Sequence, residues 1–73
     1  MFAAVTTYEH IQSFASDVWT VNHNLGIKAP IVDAWLVVNA ETIKVLPDMV
    51  EFVDINNCNI HFTSPGTGTA IIA

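Results

Sequence analysis

Positive charge is nearly missing from this chain. Lys28 and Lys44 are its only cations, and seven acids bring the formal net charge to −5. Gripping a phosphate backbone needs clustered Lys or Arg, so no nucleic-acid partner is expected. An anionic membrane surface is disfavoured for the same reason. Long apolar runs are missing too. None exceeds five residues, as at 34–38, against the roughly 20 that a membrane-spanning helix requires. The first residues lack the positive flank and the long apolar core of a signal peptide. Cysteine is reduced to Cys58, which rules out an internal disulfide and fits synthesis in a reducing compartment.

What is present is apolar. The chain has 73 residues, of which 52% are hydrophobic and only 12% charged, about half the charge of an average globular domain. A single domain of this size buries only about 60% of its unfolded surface and is marginal alone. With no disulfide to help, oligomerisation or docking on a larger body is the economical way to complete the core. Met1 at the start suggests a complete small gene product.

Period-two alternation dominates, with turns every 6 to 12 residues and no helical period. Residues 1–6 are apolar without period and read as an arm ordered against a neighbour; residues 7–73 read as one β domain. Tyr8, His10, Gln12 and Phe14 alternate with Thr7, Glu9, Ile11 and Ser13 in a first strand, and a turn is expected at 15–17. The second strand, 18–23, runs into Asn24-Leu25-Gly26, where Asn and Gly tolerate the positive φ of a reversal. Leu25 reads as an apolar plug under that turn. Pro30 suits the first residue of a third strand, 31–38, because it gives no N–H to a ladder.

That third strand is apolar on both faces, with Ile31, Trp35 and Val37 beside Asp33 on one side. A strand buried on both faces reads this way, as does one with one face on the core and the other on a second subunit. The second cause is preferred in so acidic and mostly antiparallel a chain, and it makes Ile31, Trp35 and Val37 candidates for an oligomer interface. A reversal at 39–41 leads to a fourth strand over 42–46 and a fifth over 49–55. An Asn56-Asn57 hairpin leads to a sixth over 58–63. A turn at 64–68 precedes the last strand, 69–73. The expected fold is a small antiparallel all-β sandwich or barrel of six to seven short strands.

Laid out this way, the chain resembles a family of small β modules in tailed-bacteriophage virion proteins. The shared pattern is Tyr8-x-His10-x-Gln12, then Trp19-Thr20-Val21-Asn22-His23-Asn24-Leu25-Gly26, then Pro30. It continues through Pro47, the Asp54-Ile55-Asn56-Asn57 hairpin, and Ile60-x-Phe62-x-x-Pro65-x-x-Gly68-Thr69-Ala70. It departs at Asn39-Ala40-Glu41, where an Asp/Gly turn would be expected. The resemblance implies a non-enzymatic structural or adhesive module of the virion, made in the host cytoplasm. It implies other virion proteins as partners and a homo-oligomer, most often a trimer.

Chemistry has few footholds. His10, His23, His61 and Cys58 are formally enough for zinc, but the three histidines lie on different strands without ligand spacing, and Cys58 and His61 face opposite sides of one strand. No metal or cofactor is expected. His23 reads as a structural imidazole that hydrogen-bonds the turn, with Asn24 capping it. Cys58 reads as a buried, inert thiol. The turn at 64–68 lacks the Lys-Ser/Thr end of a phosphate loop. Trp19 belongs with Val21 in the core. Trp35 and His61 are the candidate contacts of an alternative function, recognition of a host-surface glycan.

Overall fold

The computed structural model describes residues 7–73, so the expected arm at 1–6 lies outside the described residues. Five strands form one antiparallel sheet: β1 (Tyr8–Asn22), β2 (Val32–Val38), β3 (Glu41–Val45), β4 (Met49–Asp54) and β5 (Asn57–Ile72). The all-β, antiparallel expectation holds. The strand count does not, because two pairs of expected short strands are each one long strand.

The reason lies in the two expected turns. Residues 15–17 and 64–68 do not reverse the chain; they meet each other in the β1–β5 ladder, with Ser16 opposite Gly66. On one side of that pair, residues 13–15 of β1 stand against residue 67 of β5. On the other, residues 62–65 of β5 stand against residue 17 of β1. Extra residues in a ladder bend it sharply without ending it. Pro65 fits there because it opposes no ladder donor. Gly68 answers to a different demand: a Cβ at this position would overlap the carbonyl oxygen of Trp35 across the β5–β2 ladder.

β5 is the central strand. β1 pairs along its whole length on one edge, from Tyr8↔Ile72 to Asn22↔Asn57. On its other edge β4 pairs with the first half, Val50↔Ile60 among the pairs, and β2 with the second half, Ala34↔Ala70 among them. β1 and β2, consecutive in sequence, are therefore separated by β5 and not paired with one another. The Asn24-Leu25-Gly26 reversal between them therefore closes no hairpin and sets no register between β1 and β2. β3 closes the order by pairing with β2, Leu36↔Ile43.

The bends bring the two halves of the sheet together over one core. Cys58 and Ile60 from one end of β5 share a buried cluster with Ala70 and Ile72 from the other. A straight strand would hold Cys58 and Ala70 about 40 Å apart. Trp19, Val21 and Ala34 complete the cluster, with Tyr8, Leu25, Leu36, Val50 and Phe62 packed around it. Trp19 is the largest member. Its ring centroid lies 4.5 Å from that of Phe62, and its Nε1–H donates to Ser16 O at 3.0 Å and Gly66 O at 3.3 Å. One side chain thus fills the core and ties both bends.

The short turns also differ in detail from expectation. The β2–β3 connection is the two residues Asn39 and Ala40, both at positive φ (51° and 65°), as a two-residue hairpin of this hand requires. Glu41 already belongs to β3. The β4–β5 turn is Ile55-Asn56, one residue earlier than expected, and neither Asn56 nor Asn57 has positive φ. Here asparagine serves through its side chain. Pro30 is buried but precedes β2, while Ile31 exchanges two backbone hydrogen bonds with Ala73.

Candidate functional site

The Trp19–Gly26 stretch builds a clasp around the β4–β5 turn. His23 N–H and Asn24 N–H both donate to Asn56 O, at 2.9 and 3.1 Å, and Ile27 N–H donates to Ile55 O at 2.9 Å. Gly26 N–H donates to Asn56 Oδ1 at 3.0 Å. Positive φ at Asn24 (53°) and Gly26 (67°) turns these donors inward. Leu25 packs on the core below. Asp54 Oδ1 accepts Asn56 N–H at 2.8 Å and Asn57 Nδ2–H at 2.9 Å. Those donors hold the Asp54 carboxyl below its ordinary pKa, the Asn56 backbone first.

His23 is nearly fully buried at 3% exposure. Its Nδ1 accepts Leu25 N–H at 3.1 Å, which assigns the ring proton to Nε2. The imidazole therefore accepts from the turn, not donates to it. Nε2 is buried and has no hydrogen-bond partner. The other histidines lie elsewhere. His10 Nε2 meets Gln12 Oε1 at 2.8 Å on β1, and His61 Nε2 meets Glu51 Oε1 at 3.4 Å across β4 and β5. Among the described residues no group of three His, Cys, Asp or Glu side chains is gathered as metal ligands would be. Cys58 is buried, and burial pushes its thiol pKa up, away from the thiolate a nucleophile needs.

A groove of about 250 Å³ lies between the β2–β3 hairpin and the bend of β5, lined by Leu36, Val45, Leu46, Phe62, Asp48 and Ser64. Asp48 is its single ionisable group, and its Oδ2 accepts the Thr63 hydroxyl at 2.7 Å. A hydrolytic carboxylate pair would need a second acid there.

The two halves of the sheet differ most on the faces turned away from the core. Over β4, the first half of β5 and the second half of β1 that face is largely polar and internally bonded, with Val18 and Met49 flanking His61. Asn22 Nδ2–H donates to Asn57 Oδ1 at 2.7 Å, and Asn59 Nδ2–H to Glu51 Oε1 at 3.2 Å. The Asn59 and His61 contacts hold Glu51 below its ordinary pKa, Asn59 first.

Over the other half, that face sets an apolar cluster among a few charged side chains. The ladder pairs Ile11↔Thr69↔Trp35 and Glu9↔Ile71↔Asp33 place these six side chains together, with Ile31 and Val37 on the same side of β2 by alternation. Ile31, Ile11 and Val37 are 71%, 66% and 47% exposed. Trp35 is half-buried beneath Lys44, whose Nζ lies 5.8 Å from the ring centroid and 3.6 Å from Asp33 Oδ1. The structure brings Ile31, Trp35 and Val37 onto one face and leaves His61 on the other half, so Trp35 and His61 do not share a groove. Sequence reading by single strands missed Ile11, Thr69 and Ile71. Alternation put Ile11 opposite His10, but only the ladder gives its neighbours.

No protein-family model, curated protein or solved structure matches this chain.

Proposed function

We propose that this chain is a structural, non-enzymatic component of a tailed-phage virion, a small homo-oligomeric β module that attaches to or decorates a larger tail, baseplate, fibre or capsid assembly. One observation carries the assembly reading. Twelve large apolar side chains among the described residues are exposed, against seven hydrophobic residues buried in the core. Monomeric proteins scatter such residues singly, whereas contiguous apolar patches mark contact surfaces. Three of the twelve, Ile11, Ile31 and Val37, lie on the β1–β5–β2 face around the half-buried Trp35 and Ile71. The virion assignment rests on the residue pattern from Tyr8 to Ala70, whose parts have concrete structural duties: Trp19 in the core, His23 to Gly26 in the clasp, Gly68 at the close strand approach.

Two measurements test the proposal. Sedimentation of the isolated chain at micromolar concentration should give an oligomer; a stable folded monomer overturns self-assembly. Quantitative mass spectrometry of purified particles should find the chain at fixed stoichiometry. Its absence from intact particles overturns the virion reading.

A further inference from the structure

We infer that the apolar face of the β1–β5–β2–β3 half-sheet is covered by the same face of a second copy, related by a two-fold axis running parallel to the strands. This rests on the self-assembly reading above and adds the surface, the symmetry and the pairing residues.

The argument starts from one row of side chains across that face. Glu9 on β1, Ile71 on β5 and Asp33 on β2 are ladder partners in a single line. Lys44 of β3 is opposite Trp35, one step further along the same face. Its ammonium reaches back to 3.6 Å from Asp33 Oδ1. The row therefore reads acid, apolar, acid, cation from edge to edge. Its ends carry opposite charge.

Two such faces can meet through a two-fold axis in two simple ways. An axis across the strands lays each row along itself, stacking Glu9 near Glu9 and Lys44 near Lys44 of the partner. An axis along the strands exchanges the ends, so each Glu9 lies over the partner's Lys44, and the contact occurs twice. Packed sheets prefer nearly aligned strands about 10 Å apart, a gap that a glutamate and a lysine reaching from opposite sides can close. Ile11, Thr69, Ile71 and Trp35 would then interdigitate between the charged edges. Asp33 is also enclosed by such packing, and the one ammonium of Lys44 bridges it and the partner's Glu9. An isologous interface closes after two copies, whereas the resemblance points to three.

Carbodiimide cross-linking of a mixture of isotopically heavy and light chains is the decisive experiment. Glu9 and Lys44 sit on strands three spacings apart within one chain, about 14 Å, beyond a zero-length link. Mass spectrometry should find a Glu9–Lys44 link in heavy–light pairs, beside the Asp33–Lys44 link within single chains as the internal control. Ile11→Asp, at an exposed position, should keep the circular-dichroism spectrum and raise the dimer dissociation constant at least ten-fold. An oligomer that lacks the heavy–light Glu9–Lys44 link, that sediments as a trimer, or that is indifferent to Ile11→Asp overturns this interface and leaves self-assembly standing. A monomeric wild-type chain overturns both.

Discussion

His10 and Trp19 lie nine residues apart on one strand, yet their ring centroids are only 5.9 Å apart. An extended strand would separate them by about 30 Å. The contact exists because β1 folds over at residues 13–17, and Trp19 secures that bend from inside. Trp19→Ala should cost about 3–5 kcal/mol, enough to unfold so small a domain. Trp19→Phe keeps much of the ring packing but leaves the carbonyls of Ser16 and Gly66 without their indole donor, and should cost about 1–3 kcal/mol. Chemical denaturation at one fixed protein concentration checks both. If the Phe variant is as damaging as Ala, the indole hydrogen bonds matter more than the packing.

Gly26 and Gly68 should respond very differently to alanine. Gly26 has φ 67° and nothing within 4 Å of an added Cβ, so Gly26→Ala meets only backbone strain, about 1–2 kcal/mol. Gly68→Ala drives a methyl into the Trp35 backbone, where no rotamer change relieves it, and should cost at least about 3 kcal/mol. Equal losses on denaturation would mean that the β2–β5 ladder opens easily at Gly68.

Ala40 carries φ 65° in the β2–β3 turn, an expensive conformation for a residue with a Cβ. Ala40→Gly relieves about 1–2 kcal/mol of strain and gives back about 0.5–1 in chain entropy. A net gain of roughly 0.5–1 kcal/mol is expected. A lower denaturation midpoint in the variant would contradict this account of the hairpin.

Acid should loosen the clasp. The folded pKa of Asp54 is depressed by the Asn56 backbone and the Asn57 amide, so its contribution to stability is present in full above the ordinary carboxylate range. That contribution falls away as pH drops through that range and then past the folded value. In Asp54→Asn the decline of stability between pH 6 and pH 3 should be shallower than in the wild type, about those pH limits being set by the ordinary aspartate value. Denaturation midpoints across that window decide. Parallel curves would assign the acid sensitivity to other carboxylates, Glu51 among them.

Cys58 offers a readout of global opening. It is buried at the centre of the core, so a thiol reagent should react with the native protein only as fast as the sheet opens. The reaction rate should rise with denaturant in step with unfolding. Fast reaction under native conditions would show that the β4 edge frays on its own.

Much of this architecture was legible in the chain, because alternation reports faces. Trp19 and Val21 together in the core, Cys58 and Ile60 inward, and Ile31, Trp35 and Val37 on the opposite side from Ala34 all follow from a period of two. What alternation cannot report is continuity. Ser64-Pro65-Gly66-Thr67-Gly68 has the composition of a reversal, and only its partner at 13–17 makes it a bend in a continuing ladder. Gly and Pro record that the backbone leaves regular geometry, not in which direction. Asn56 is a similar case. Its type suggested positive φ, whereas its duty is to offer two oxygens to the His23–Gly26 backbone, a need created by a distant segment earlier in the chain.

The central position of β5 has a consequence for how the chain is born. Three of the four strand pairings include it, and it comes last of the five in chain order. While residues 8–54 emerge from the ribosome, only the β2–β3 hairpin can form its ladder, and a lone hairpin is marginally stable in water. β1, the earliest of the five, waits with its Trp19 uncovered until Ile72 can pair with Tyr8. Native structure therefore cannot build up gradually during synthesis. It forms in one late step of long-range closure, which is intrinsically slow and exposes apolar strands to aggregation. Deleting residues 68–73 would remove the β5 partners of β2 and of the first half of β1 together, and turn a folding protein into a substrate for proteolysis.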